Sequence, residues 1–246
     1  MTNIIAMPEM EDGRYLIMGT RDGLIKKTAL SEFRNLRKSG LIAIVLNEGD
    51  ELIGVELCKE NDELMLCSHL GKAIRFAERH VRPMGRVSHG VHSMKLEEGD
   101  RVTDLCVIEE GAHVLAITEN GYGKRTEVEQ YRETGRNGKG VIAMTLTEKT
   151  GLLVAQLMVH DDEDILLITD DGTIIRTPAS DVRLCGRNTQ GVRVMRLAED
   201  SKVIGVARAE KEEETDMSEV IAEMNAETST ETAPAETIEP APETEE

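Results

Sequence analysis

The stretch DILLITDDGTIIRT, from Asp164 to Thr177, decides the fold. An apolar run of strand length is followed by Asp171-Gly172, a dipeptide that accepts the positive φ angles of a tight hairpin turn, and then by a second short apolar run. The same arrangement recurs upstream around Gly23, Gly71 and Gly121, with spacings of 48, 50 and 51 residues between successive turn glycines. The preceding strands read YLIMGT from Tyr15, ELMLCS from Glu63 and HVLAIT from His113. A fixed period of this size marks a repeat architecture, in which each unit buries its apolar face only against its neighbours.

Beyond each hairpin a polar loop ends at Gly40, Gly90, Gly140 or Gly191 and leads into GLIAIVL, GVHSMKL, GVIAMTL or GVRVMRL, read as a third strand. An acidic turn follows, and then a fourth strand such as ELIGVELC, RVTDLCVI, GLLVAQLMV or KVIGVARA. Four strands per period predict an all-β, propeller-like body of four-stranded blades. Four full motif sets and a half-period at the front, where Asn3 to Met7 resembles a fourth strand, predict four to five blades. The segment ALSEFRNL after Thr28 is the one place where a turn of helix is expected. The predicted body covers residues 1–209, with its front end truncated. Residues 210–246, rich in Glu, Thr, Ala and Pro, bury too little apolar surface to offset ordering and form a predicted disordered acidic tail.

The formal net charge of -18 is uneven. The tail holds 14 acidic residues and one basic one, Lys211, whereas the body holds 28 Lys and Arg against 33 Asp and Glu. A nearly balanced body binds a polyanion where its cations gather on one surface, because screening makes the local charge decisive. Four residues after each turn glycine stands a cation: Lys27, Arg75, Arg125 and Arg176, joined by Lys26 and Lys124 one position earlier. A second set occupies the loop before the third strand: Arg37 and Lys38, Arg86, Arg136 and Lys139, and Arg187. Two cationic positions per blade predict a belt around the disc that contacts duplex DNA through its backbone. Solubilising charge at sheet edges is the plainer alternative for any single blade. Aromatic residues make up 2% of the chain and Trp is absent, which removes the stacking platforms of a single-strand or RNA binder.

Other chemistry is excluded by spacing. Gly121-Tyr122-Gly123 lacks the third glycine of a dinucleotide fingerprint, and the run from Gly135 to Gly140 lacks the spacing and hydroxyl residue of a phosphate-binding loop. His89 and His92 have no partners that complete a zinc site. Cys58, Cys67, Cys106 and Cys185 form no CxxC pair and read as reduced structural thiols. No run approaches the length of a membrane span and the N-terminus lacks the sections of a signal peptide, so a cytosolic protein without membrane contact is expected.

The runs NGYGKRT (Asn120 to Thr126), ITDDGTIIRT (Ile168 to Thr177) and GRNTQGV (Gly186 to Val192) resemble the C-terminal domain of the DNA gyrase A subunit, and the resemblance extends from Asn3 to about Ala209. It implies a β-pinwheel, whose blades exchange a strand with their neighbours and whose basic rim wraps duplex DNA. It further implies that wrapping presents a positively handed crossing to a strand-passage gate, so that an A2B2 holoenzyme, built from the catalytic part of the gyrase A protein and from gyrase B, introduces negative supercoils near the nucleoid. ATP and Mg2+ belong to that holoenzyme, and this chain carries no cofactor and no active site of its own. By resemblance Lys27, Arg75, Arg125, Arg176, Arg86, Arg136, Lys139 and Arg187 match rim cations. The family's usual six blades and its QRRGGKG box are not found; GRNGKG at Gly135 is a degenerate echo of that box. The pinwheel of the topoisomerase IV A-type subunit is the near alternative. A protein-interaction propeller is the alternative from another class, and it lacks an apolar anchor cluster in the sequence.

Overall fold

The computed structural model describes residues 13–35 and 38–211; the expected strand at Asn3 to Met7, Arg37 and the expected tail beyond Lys211 lie outside them. Blade one contains β1 (Arg14–Thr20), β2 (Leu24–Ala29) and β3 (Leu52–Lys59); blade two contains β4 (Glu63–Ser68), β5 (Lys72–Ala77), β6 (Val91–His92) and β7 (Val102–Val107). Blade three contains β8 (His113–Thr118), β9 (Tyr122–Glu127), β10 (Val141–Ile142) and β11 (Leu153–Val159), and blade four β12 (Glu163–Thr169), β13 (Ile174–Pro178), β14 (Val192–Arg193) and β15 (Val203–Glu210). The hairpin strands and the fourth strands therefore stand where the apolar runs place them.

The third strands differ from expectation in two ways. The first, expected from Gly40 to Leu46, forms no strand; the other three shrink to two-residue ladders, each paired with the blade before its own: β6 with β2, β10 with β5 and β14 with β9. The sheet orders are accordingly β3-β1-β2-β6, β10-β5-β4-β7 and β11-β8-β9-β14, while β13-β12-β15 has three strands among the described residues. Among the described residues blade four thus has no strand beyond β13, where Ile174 is exposed. The exchange depends on glycines that let two backbones touch. A Cβ on Gly140, whose φ is +70°, would sit 2.5 Å from the Ala73 carbonyl oxygen, and one on Gly191, also at +70°, would sit 2.4 Å from that of Gly123. Only glycine combines the left-handed φ with that approach.

The expected helical turn is a 3-10 turn at Leu30–Phe33, and the same turn recurs unanticipated at Glu78–His80, Val128–Gln130 and Ala179–Asp181. Each is followed or closed by a buried apolar or aromatic side chain, Phe33, Val81, Tyr131 or Val182, that pins it to the sheet. Cys58, Cys67 and Cys106 are buried free thiols and Cys185 is half-buried.

The fourth strands pack innermost, β3 on β7, β7 on β11 and β11 on β15. Glu56, Asp104, Gln156 and Arg208, one from each, line an inner cavity of about 400 Å³. Burial drives the Asp104 carboxyl up to about 7, against the pull of hydrogen bonds from the Gln156 and Leu105 amides. Folding therefore takes up a proton at Asp104 between its ordinary 3.8 and about 7, so stability at this site falls as pH rises through that window. Urea titrations at about pH 5 and about pH 8 are expected to show wild type losing more stability than Asp104→Asn on going to the higher pH. Parallel losses would place the Asp104 carboxylate in water.

Candidate nucleic-acid interface

The cations four residues beyond the turn glycines are not at the surface in three of the four blades. Lys27 is 4% exposed, lies 4.4 Å from the centroid of the Tyr15 ring and is paired through Nζ with Glu78 at the start of the next blade's 3-10 turn. Arg75 is half-buried; it forms a two-pronged pair with Glu63 and donates to the Val128 and Tyr131 carbonyls of blade three at 3.0 and 3.1 Å. Arg125 donates to the Val182 and Ser180 carbonyls of blade four at 2.7 and 3.2 Å and pairs with Asp161. Arg176 is exposed, but its Nε lies 2.7 Å from Asp164 Oδ2 and its Nη2 donates to the Glu210 carbonyl at 2.6 Å. In blades one to three the expected outward belt at this position is corrected: burial of a cation demands polar partners, and Lys27, Arg75 and Arg125 find them by tying one blade to the turn of the next, whereas exposed Arg176 is held within its own blade.

Lys26 and Lys124 are equally inward. Lys26 donates to the Ala43 carbonyl at 2.6 Å and to the Arg86 carbonyl, and Lys124 to the Gly186 carbonyl at 2.9 Å and to that of Arg187. Each ammonium thus holds the glycine-arginine loop of the following blade. Burial lowers both to about 8, with Arg86 adding to the fall at Lys26 and Arg187 at Lys124.

The loop set does reach the surface. Lys38, Arg136 and Lys139 are exposed, and Arg86 and Arg187 are half-buried. Two of them also stitch backwards: Arg136 donates to the His80 and His92 carbonyls at 3.0 and 3.1 Å, and Arg187 to the Gln130 carbonyl at 3.1 Å and to that of Ile142. Those acceptors occupy the same two positions in successive blades.

A third recurring set was not anticipated. Eleven residues after each turn glycine stands an arginine, Arg34, Arg82, Arg132 and Arg183, and all four are exposed. The 3-10 turn explains their direction: it buries the residue before, and the residue after forms a parallel bridge to the preceding blade, Pro83 to Lys27, Glu133 to Arg75 and Leu184 to Arg125. The arginine between them is left facing out at the seam. Arg82, Arg132 and Arg183 make no ion pair with any described residue, although acidic residues of the turns, Glu32, Glu129 and Asp181, are also exposed nearby in sequence. The constant spacing was present in the sequence; the turn that gives it meaning was not.

No group of three His, Cys, Asp or Glu able to hold a metal occurs among the described residues, and no described helix is long and apolar enough to cross a membrane. Among the described residues the exposed large apolar side chains, Ile42, Leu46, Val87, Ile142, Ile174, Leu184 and Ile204, are distributed over all four blades.

Comparison with known proteins agrees with this architecture blade by blade. The family described as "DNA gyrase C-terminal domain, beta-propeller" matches at residues 14–59, 62–108, 112–155 and 163–210. The DNA gyrase A subunit of Escherichia coli K12 is 46% identical over 218 residues, covering 88% of the chain and 25% of that protein. Its counterpart from Mycolicibacterium smegmatis is 43% identical over 230 residues, covering 93% and 27%. The chain thus spans about a quarter of the length of the curated relatives it matches. A solved DNA gyrase A C-terminal domain superposes with a TM-score of 0.74 at 30% identity, covering 82% of this chain and 67% of that one. A topoisomerase IV C-terminal domain gives 0.78 at 27% identity, covering 90% and 69%.

Proposed function

Because the chain belongs to the DNA gyrase C-terminal domain family, we propose that it binds duplex DNA along its rim without reading base sequence, and bends the duplex as the wrapping element of a supercoiling topoisomerase. The observation that carries this reading is the outward arginine at each of the three described blade seams, Arg82, Arg132 and Arg183, with Arg34 at the equivalent position of blade one, and with Lys38, Arg86, Arg136, Lys139 and Arg187 following in sequence. Duplex DNA carries one charge per roughly 1.7 Å of axis, and each neutralised phosphate releases condensed counterions. Bending a 20–30 bp segment by up to a right angle costs roughly 1–6 kcal/mol, which dispersed contacts at regular intervals offset and a single patch does not.

In the whole enzyme this module serves strand passage carried out elsewhere, by the catalytic part of the gyrase A protein together with gyrase B, in the cytoplasm at the nucleoid. ATP and Mg2+ act on those other parts. The glycine loop ending at Gly140 does not fit a nucleotide phosphate, because it is pressed onto the Ala73 carbonyl, which fills the space a phosphate would need. The near-equal shape match to a topoisomerase IV domain leaves the assignment to sequence, where gyrase A relatives reach 46% identity.

Titration with salt tests the proposal. Four to eight phosphate contacts predict that log Kobs falls against log salt with a slope between about -4 and -7, with little dependence on sequence. A flat response would contradict it.

A further inference from the structure

The junction of blades three and four carries a cationic pocket. It measures about 380 Å³ and is lined by Asn120, Tyr122, Lys149, Arg193, Met195, Arg196, Leu197 and Ser201, with three cations and no carboxylate in a chain of net charge -18. Asn120 holds the Lys149 loop in place, its Nδ2 donating to the Glu148 and Lys149 carbonyls at 3.2 Å each. Lys149 Nζ then stands 5.3 Å from the Tyr122 ring centroid and the Arg193 guanidinium 5.5 Å from it. Arg193 Nη2 donates to the Tyr122 hydroxyl at 3.0 Å, and this bond, followed by the charges of Arg193 and Lys149, holds the phenol below its usual range.

Repeat geometry shows how the site arose. In the first two blades the acidic turn reads Glu48-Gly49-Asp50 and Glu98-Gly99-Asp100, and the aspartate accepts two backbone N–H bonds. Here it reads Glu148-Lys149-Thr150, so a carboxylate is removed and a cation gained. Arg193 replaces His92 and Ile142 of the other two-residue strands, and Tyr122 replaces Leu24 and Lys72 opposite them. Like charges held together without a counter-charge repel one another, and an anion entering between them relieves that repulsion and accepts charge-assisted hydrogen bonds.

We infer that the pocket bounded by Tyr122, Lys149, Arg193 and Arg196 is a binding site for phosphate groups, either of duplex DNA passing from the rim onto this face or of a free oligophosphate. The site goes beyond the rim reading and stands independently of it, since its ligand is tested without DNA.

The chain has three tyrosines and no Trp, so ring-labelled tyrosine gives an NMR spectrum with one reporter in the pocket and Tyr15 and Tyr131 as references. Titration with inorganic pyrophosphate is expected to shift Tyr122 saturably and leave the other two in place. Lys149→Gly restores the glycine of the first two acidic turns and Arg196→Thr the residue that Thr145 supplies at the junction of blades two and three, and together they are expected to weaken that binding at least about tenfold. Arg196→Thr alone, at an exposed position, supplies the same comparison should the double variant fold poorly. A short duplex that displaces pyrophosphate from Tyr122 assigns the site to DNA phosphate; pyrophosphate binding without such displacement assigns it to a free oligophosphate, and both support the site. A Tyr122 signal that neither ligand moves, or that moves equally in the variants, overturns it.

Discussion

Replacing Arg82, Arg132 and Arg183 together by glutamate lowers the affinity for duplex DNA on the order of a hundredfold at about 0.1 M salt and removes about three from the salt slope. Each of these side chains is exposed and makes no ion pair with a described residue, so the reversal costs the phosphate contacts without breaking a contact of the fold. Circular dichroism and the urea midpoint are expected to stay at wild-type values, since exposed substitutions away from such contacts usually change stability by less than about 0.5 kcal/mol. A variant that binds DNA within about threefold of wild type, with an unchanged salt slope, would remove the seam arginines from the interface.

The second large effect is on stability and separates the two kinds of recurring cation. Both side chains of the Lys27–Glu78 pair are 5% exposed, and Glu78 also accepts the Asn61 amide hydrogen. Glu78→Ala leaves the Lys27 ammonium buried beside Tyr15 with no counter-charge and is expected to cost about 3–5 kcal/mol of unfolding free energy. Replacing both partners by apolar residues, Lys27→Met with Glu78→Leu, is expected to recover most of that, because the desolvation of two charges disappears with them. Urea denaturation at neutral pH measures both. DNA affinity per folded molecule is expected to stay unchanged in the double variant. A single variant as stable as wild type, or a double variant that folds normally and loses DNA binding, would return Lys27 to the surface role the sequence suggests.

The hairpins and inner strands were legible because apolar runs of strand length bounded by Asp-Gly or Asn-Gly have few other solutions. Strand exchange was not legible. Val91-His92 and its equivalents look the same whether they pair with their own hairpin or the previous one, and the glycines pressed onto the previous blade, Gly90, Gly140 and Gly191, record which. The inward direction of Lys27, Arg75 and Arg125 was hidden for a similar reason, since a side chain repeated to tie blades and one repeated to meet a ligand leave the same period. The distinguishing signal was the partner. Glu63 and Asp164 stand eight residues before their turn glycines and pair with Arg75 and Arg176, whereas at the same position Tyr15 stacks on Lys27. The outward arginines were missed because their exposure depends on a 3-10 turn, and a segment such as Val128–Gln130 has no periodicity long enough to reveal one.

The division of labour between the two arginine positions is open to one measurement: modification of arginines by phenylglyoxal, read residue by residue by mass spectrometry, with and without bound duplex. Arg82, Arg132 and Arg183 are expected to react in the free protein and to be protected by DNA, while Arg125, bound to two carbonyls and to Asp161, stays unreactive in both states. Seam arginines that react equally with DNA bound, or an Arg125 that is reactive until DNA covers it, would contradict the interface proposed here.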